Sequence, residues 1–488
     1  MVKFSSRLRW AIAPLLAAIL SACAVGPDYV RPQTPADDAY LRQDPAAQNL
    51  PVPAADAAFW RSMGDPLLER LVDQALAANH DLRSAMARYE QAAALSRETR
   101  ADRFPTLGAS AEFTGVRNSQ AQYPNLSRGE RDGELHSASI SAVWELDFFG
   151  RVRRGIEAQN AQTDATVADL AGVQVAIVSE LADTYFRLRG VQVQLQVARD
   201  NAANQGDTLR LITALLDNGR GTSFDADRAR TQLELTRSRI APLEAEAAVA
   251  IHRLSVLVGQ TPSALAPVLN QVIALPSLPA AVNPGAPGDL LRRRPDIAAA
   301  ERRLASASAR IGVATADLFP RFTLGGLIGT QALGLGSMFE RDSETRLISL
   351  GIDGSFLDVA RVRARIAAAN ADAAGRLADY EGTVLRAMEE TENALVRLSR
   401  TQVENAYLNE AALASRRAAD TARLQFDGGA ISVLDVLDAE RSRLEAEDLL
   451  ARSSTRKATA LVAVYKALAG GWPQAIPAAQ GEAYAARK

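Results

Sequence analysis

The chain has 488 residues, of which 23% are charged and 5% aromatic, and its formal net charge is −2 at pH 7. This balance of acidic and basic residues lacks the basic excess of a nucleic-acid-binding protein, so we expect no nucleic-acid partner. Few aromatic residues together with abundant alanine favour long, closely packed helices over a bulky globular core. Cys23 is the only cysteine, which excludes an intramolecular disulfide.

The first residues have the pattern of an export signal. Basic residues precede a short apolar run over 10–20, and Leu-Ser-Ala leads directly to Cys23. The run is too short for a membrane-spanning helix. Its ending resembles a lipobox, the bacterial lipoprotein signal, which implies cleavage before Cys23, a diacylglycerol on the thiol and acylation of the new amine. Ala24 then implies sorting to the outer membrane. The alternative is an ordinary signal peptide with an incidental cysteine.

Two repeats of about 200 residues make up most of the chain. ADRFP at 101–105 returns as ADLFP at 316–320, RVRRGIEAQNA at 151–161 returns as RVRARIAAANA at 361–371, and three weaker matches follow the same order. The matches divide the chain into a signal peptide (1–22), a lipid-anchored extended N-terminal segment (23–60), a first repeat (61–275), a proline-rich linker (276–295), a second repeat (296–473) and a C-terminal tail (474–488).

Each repeat is predicted to contain helices and one β-hairpin, at about 106–148 and about 321–357. Pro105 and Pro320 are predicted to mark the breaks from helix to strand, because proline ends a helix and lacks a ladder donor. In the first repeat we expect a long helix over 151–217, followed by a return helix over about 225–258. Both long helices show a heptad-like apolar seam that a plain helical bundle would share.

The predicted strands alternate between apolar and polar side chains. This pattern suits a membrane barrel with lipid outside and water inside, although a half-buried soluble sheet alternates in the same way. No stretch after Cys23 reaches the roughly 18 uninterrupted apolar residues of a membrane helix, so a part of the chain that enters a membrane must do so as β-strands. Four strands cannot close a barrel, and two chains would give eight strands around an interior filled by side chains. Three chains would supply twelve strands, enough for an aqueous interior, so a conduit favours a trimer.

Two glycine-containing turns, at 217–222 and 427–432, join the long helices to their return helices. The predicted turn residues are Gly219, Gly221, Thr222, Gly428, Gly429 and Ser432. Thr222 and Ser432 are predicted to cap the next helices. Asp225 and Asp435 follow three residues later, as in a capping box.

These features together resemble the TolC-like outer membrane factors, and more narrowly the OprM/NodT-type outer membrane efflux lipoproteins. The resemblance rests on the lipobox followed by AVGPDYVRP, on the doubled ADRFP/ADLFP with its hairpins, and on GGAISVLDVLDAERSRLEAE at 428–447. It implies an α+β membrane protein in the outer membrane of a Gram-negative bacterium. That protein is a homotrimer whose twelve-stranded β-barrel continues into a long α-helical periplasmic tunnel.

The implied function is the exit duct of a tripartite efflux pump, of the kind that confers antibiotic resistance. The implied partners are a periplasmic adaptor (membrane fusion) protein, an inner-membrane RND transporter and outer membrane lipids. The resemblance also implies acidic rings at the periplasmic entrance, at Asp435 and Asp438 and at the corresponding first-half position, Asp225. Such rings favour cations. Capping alone is the alternative role for these aspartates.

The possible gate neighbours are Arg220, Phe426, Val433 and Leu434. Well-known family members have arginine or tyrosine beside the second turn, where this chain has Phe426 and Ile431, so we expect closure to be partly apolar. We expect no enzymatic activity, no metal and no cofactor beyond the lipid on Cys23, because the chain has no P-loop, no GxSxG and no histidines at metal-ligand spacing. A duct for type I protein secretion and a lipid-anchored helical scaffold or adhesin remain as alternative functions.

Overall fold

The structure is a computed structural model that describes residues 24–33, 39–41, 59–273, 275–276, 278–279 and 281–468. Cys23, the predicted signal peptide and the predicted tail lie outside the described residues. The chain divides into two compact units. The first unit contains the described residues 24–33, 89–166 and 299–381, and the second contains the other described residues.

Helices account for most of the described residues. They are α1 (Pro66–Ala78), α2 (His80–Ala101), α3 (Arg151–Asp217), α4 (Ser223–Ser238), α5 (Ile240–Leu257), α6 (Ala266–Leu269), α7 (Pro287–Arg293), α8 (Pro295–Ala316), α9 (Val359–Asp427) and α10 (Val433–Leu468). Helices α3 and α9 contain 67 and 69 residues, so each is about 100 Å long at a rise of 1.5 Å per residue. Helix α3 has the bounds predicted from the sequence.

The return segment of the first repeat differs from the prediction. One helix was expected over about 225–258, whereas α4 ends at Ser238 and α5 begins at Ile240. Pro242 explains the break, because its nitrogen has no hydrogen to donate to the carbonyl of Ser238 four residues earlier. The corresponding residue of the second repeat is Arg452, and α10 runs unbroken through it.

A four-stranded antiparallel sheet lies in the first unit, in the order β1-β2-β3-β4. The strands are β1 (Thr106–Arg117), β2 (Asp132–Leu146), β3 (Arg321–Ala332) and β4 (Glu344–Asp353). Each predicted hairpin therefore contains two of the strands. Pro105 and Pro320 immediately precede β1 and β3, where each ends the helical segment before it.

The strand register places most of the large apolar side chains of the four strands on one face, whereas Leu327 and Leu347 pair on the other. Ile140 of β2 pairs with Ala109 of β1 and Ile328 of β3, and Leu324 of β3 pairs with Leu350 of β4. Cross-strand partners project to the same side of a sheet. The exposed side chains of this apolar face are Leu107, Phe113, Ile140, Leu324, Ile328, Ile348, Leu350 and Ile352. An exposed apolar area of this extent indicates contact with lipid or with another chain.

The opposite face of the sheet is lined mainly by small and polar residues. The hydroxyl oxygens of Ser110 and Ser139 are 3.0 Å apart across β1 and β2. A Cβ atom at Gly325 would lie 2.5 Å from the hydroxyl oxygen of Ser349, so glycine is needed at this close approach. Apolar residues on one face and small polar residues on the other match the pattern of a membrane sheet that borders water.

Helix α3 supplies much of the core of the second unit. Its side chains Leu181, Tyr185 and Leu188 have no exposed surface, and all three lie on the predicted seam. Among the described residues, α3 is also the one helix with an 18-residue window that is apolar enough, by length and composition, to cross a membrane. Half of that window is buried within the protein, which fits a core helix.

Candidate functional site

The two predicted turns end α3 and α9 with the same backbone geometry. The amide of Gly219 donates to the carbonyl of Leu216 at 2.9 Å, and the amide of Gly429 donates to the carbonyl of Phe426 at 2.8 Å. In each turn the next amide donates to the carbonyl five residues back, at 2.8 Å. The two glycines have φ values of 70° and 73°, which glycine adopts without strain. Both turns are therefore Schellman motifs.

The caps of the helices that follow are built from the predicted residues in two different ways. In the first turn, the hydroxyl oxygen of Thr222 accepts from the amide of Asp225 at 3.2 Å and donates to its carboxylate at 2.6 Å. In the second turn, the carboxylate of Asp435 accepts from the hydroxyl of Ser432 at 2.7 Å and from its amide at 2.9 Å. These hydrogen bonds from Ser432 hold the pKa of Asp435 below its ordinary value.

The charges beyond the caps also differ. Asp438 is exposed, one helical turn after Asp435, and its carboxylate accepts a hydrogen bond from Arg441 at 2.6 Å. The corresponding residue of the first repeat is Arg228, whose guanidinium carbon lies 5.8 Å from the centre of the Phe224 ring. At these two corresponding positions the second turn has two carboxylates, whereas the first has one carboxylate and one guanidinium group.

A small apolar cluster packs behind both turns. Its buried members are Ile212, Ala226, Ala229 and Leu437, and the partly buried Leu209, Leu216 and Val433 pack against them. Val433, predicted as a gate neighbour, therefore contributes to this packing. Sequence reasoning missed the cluster, although the steps of three and four between residues 209, 212 and 216 are typical of a buried helix face.

The other predicted gate neighbours lie on or beside the turns. Arg220 is exposed, while Phe426 and Leu434 are half-buried. A Cβ atom at Gly221 would lie 3.0 Å from the backbone nitrogen of Leu216, so the first turn has little room for a larger residue. Within one chain, Asp225 and the pair Asp435 and Asp438 begin separate helices, and a ring of carboxylates requires further copies of the chain. Among the described residues, no group of three or more His, Cys, Asp or Glu side chains could hold a metal ion.

A sheet with one apolar face, two repeats with helices about 100 Å long and glycine turns at the helix ends define a channel protein of the outer membrane. The chain belongs to the outer membrane efflux protein family, whose model matches residues 71–260 and 286–470. The identity extends over almost the whole chain in individual relatives.

Outer membrane protein OprJ of Pseudomonas aeruginosa is 32% identical over 95% of this chain and 96% of its own length. Cation efflux system protein CusC of Escherichia coli K12 is 31% identical over 93% of this chain and 98% of its own. The solved outer-membrane channel OprN is 38% identical, with a TM-score of 0.84 over 92% of this chain and 100% of that chain.

These likenesses confirm the predicted family, function and location: the chain is an outer membrane efflux channel of a Gram-negative bacterium. They also confirm the predicted fold class, that of trimeric outer membrane channels built from strands and long tunnel helices. Members of the family are transport proteins.

Proposed function

We propose that three copies of the chain form the exit duct of a tripartite pump, which receives small molecules from an RND-type inner-membrane transporter through a periplasmic adaptor. The observation that carries this proposal is the sheet with two open edges. Strands β1 and β4 each pair on one side only within the described residues. An open edge cannot face lipid, so the sheets of several copies must pair edge to edge. Three copies give twelve strands around an aqueous interior.

Acylated Cys23 anchors each copy in the outer membrane. The lipobox pattern directly before Cys23 supports this role. Lipid on the thiol together with an acyl group on the new amine gives firm attachment, whereas one acyl chain binds only marginally. The lipobox also favours efflux over protein secretion, since many secretion ducts lack it.

Asp435 and Asp438 form acidic rings at the periplasmic entrance, and Asp225 contributes a third carboxylate from each copy. The exposure of Asp435 and Asp438 supports this role, because their caps and ion pairs leave the carboxylates accessible to solvent. Three copies place six of these second-turn carboxylates around one axis, an arrangement that attracts polyvalent cations. Phe426 and Leu434 are half-buried beside these carboxylates and supply the apolar part of closure, and Arg220 borders the first turn.

Native mass spectrometry and planar-bilayer recording of the purified full chain test the assembly. We expect trimers that conduct ions. A monomer without conductance would contradict the duct and favour a scaffold or adhesin. Affinity purification from cross-linked cells tests the partners: an adaptor with an RND transporter is expected, and recovery of a secretion ATPase instead would favour type I secretion.

A further inference from the structure

The first residues after Cys23 are held tightly in the first unit. The amide of Val25 donates to the carbonyl of Phe149 at 3.1 Å. Phe149 lies between β2 and α3, and its ring stacks on that of Phe319, at the end of the helical segment before β3, with centroids 4.5 Å apart. The segment therefore begins at the junction where the strands meet the helices.

The side chain of Arg154 donates hydrogen bonds to four residues of this segment. Its Nε donates to the carbonyl of Val25 at 3.2 Å. Its Nη2 donates to the carbonyls of Ala24 and Gly26, both at 3.4 Å, and to the carboxylate of Asp28 at 2.7 Å. Its Nη1 donates to Glu157 of the same helix at 2.8 Å.

Burial makes these contacts obligatory for the arginine. The side chain of Arg154 is 5% exposed, whereas that of Asp28 is 90% exposed. A buried guanidinium group needs hydrogen-bond partners for its five N–H groups. Four of its five acceptor groups belong to residues 24–28, so the site is complete only with this segment in place.

Three glycines make the close approach possible. A Cβ atom at Gly26, where φ is 94°, would lie 2.4 Å from the Cα of Gly312. A Cβ atom at Gly312 would lie 2.8 Å from the Cγ of Arg154 and 2.9 Å from the carbonyl oxygen of Val25. A Cβ atom at Gly150, where φ is 83°, would lie 2.4 Å from the Cβ of Ala24.

The repeat matches define a second, related strand–helix junction, and that junction lacks these glycines and this arginine. The repeat matches align Gly312 with Arg97, Arg154 with Ala364 and Gly150 with Ala360. The glycines and the arginine therefore occur at one of the two related junctions only. One such site suffices, because each chain has a single N-terminal segment.

We propose that Arg154, Gly150 and Gly312 form a clamp for residues 24–28 that holds the anchor residue, Cys23, at the strand–helix junction. The anchoring part rests on the proposed acylation. The clamped segment begins at Ala24, the residue directly after the anchor residue, at the level of the stacked pair of phenylalanine rings. The apolar sheet ends and the helices begin at this level, which places it at the edge of the bilayer. The lipid is thus fixed to the channel wall, and Arg154 is a positioning residue.

Hydrogen exchange of the purified full chain, read by mass spectrometry on a peptide that begins at residue 23, tests the clamp. We expect Arg154→Ala to speed exchange of the Val25 amide, which donates to the carbonyl of Phe149, by about tenfold or more. Arg151→Ala is the matched control, since Arg151 lies at the same junction and its Nε donates instead to the carboxylate of Glu145, at 2.8 Å. Asp28→Asn removes one exposed charge without disturbing the core, and a smaller acceleration, about threefold, is expected.

Two results would overturn the clamp: equally fast exchange in the wild type and Arg154→Ala, or equal acceleration in Arg151→Ala. Cys23→Ser should keep the Val25 amide protected, because the clamp contacts no lipid. Intact mass separates the two proposals. An acylated chain with an unprotected Val25 amide would refute the clamp and leave the anchor, whereas a protected chain without acyl groups would refute the anchor and leave the docking of residues 24–28.

Discussion

The first turn, 217–222, and the second turn, 427–432, end their long helices with the same two backbone hydrogen bonds and a left-handed glycine. Beyond them the turns diverge: the first continues with Asp225 and Arg228, and the second with Asp435 and Asp438. The backbone of a Schellman turn fixes the glycine and leaves the exposed positions unconstrained. The comparison shows that the duplicated turns share a structural frame and that any difference in function lies in the exposed charges.

Removal of the second-turn charges should have the largest effect. In the double variant Asp435→Ala/Asp438→Ala, we expect the concentration of a trivalent cation that blocks the channel to rise by about tenfold or more. Single-channel recording measures this. Asp227→Ala, which removes an exposed carboxylate near the first turn, is the control. If block by the trivalent cation is unchanged in the double variant, neither Asp435 nor Asp438 lines the pore.

The reverse experiment gives the first turn the charge pattern of the second and asks whether cation block becomes stronger. Arg228→Asp should strengthen cation block by about fivefold, or about 1 kcal/mol, because it adds a carboxylate one turn after Asp225. Arg230→Asp is a neighbouring charge reversal for comparison. If both variants change block equally, net charge rather than position explains the effect.

The shared frame should respond equally in both turns. Gly219→Val and Gly429→Val each force a β-branched residue into a left-handed conformation, at a cost of about 1–2 kcal/mol in local stability. Hydrogen exchange at each turn measures this cost. Gly428 does not have a left-handed φ, so Gly428→Ala should reduce local stability less. A marked difference between the two valine variants would show that the frames are not equivalent.

Acidification should slightly weaken the cap of the second turn, in which Ser432 donates to Asp435. Hydrogen bonds from Ser432 lower the pKa of Asp435 in the folded protein. The stabilisation is therefore present above the ordinary aspartate pKa of about 3.9 and is lost as the pH falls below it. The amide of Ser432 should lose protection below about pH 4, after correction for its intrinsic exchange rate. In Asp435→Asn this loss should disappear, and its persistence there would assign the effect to another group.

Much of this architecture could be predicted because it depends on local patterns. Period-two alternation predicted the two faces of the sheet, and glycine followed by Thr222 or Ser432 predicted the turns and their caps. The break at Arg239 was not predicted, although the nitrogen of Pro242 cannot donate to the carbonyl of Ser238. The clamp could not be predicted, since Val25, Arg154 and Gly312 are distant in sequence and meet only through the fold. The proposed ring of carboxylates would be formed by several copies of the chain, and one sequence does not describe how the copies meet.

The open edges of the sheet have a consequence for how stability is defined. A copy alone in lipid leaves the outer hydrogen-bonding groups of β1 and β4 unsatisfied. The folding free energy of the membrane part is therefore shared among the copies, and it depends on chain concentration as an association equilibrium does. Any substitution in an edge strand acts once per copy at a junction between neighbours. Its effect on the stability of the assembly is therefore multiplied by the number of copies. Dilution favours dissociation of the copies and so destabilises the membrane part.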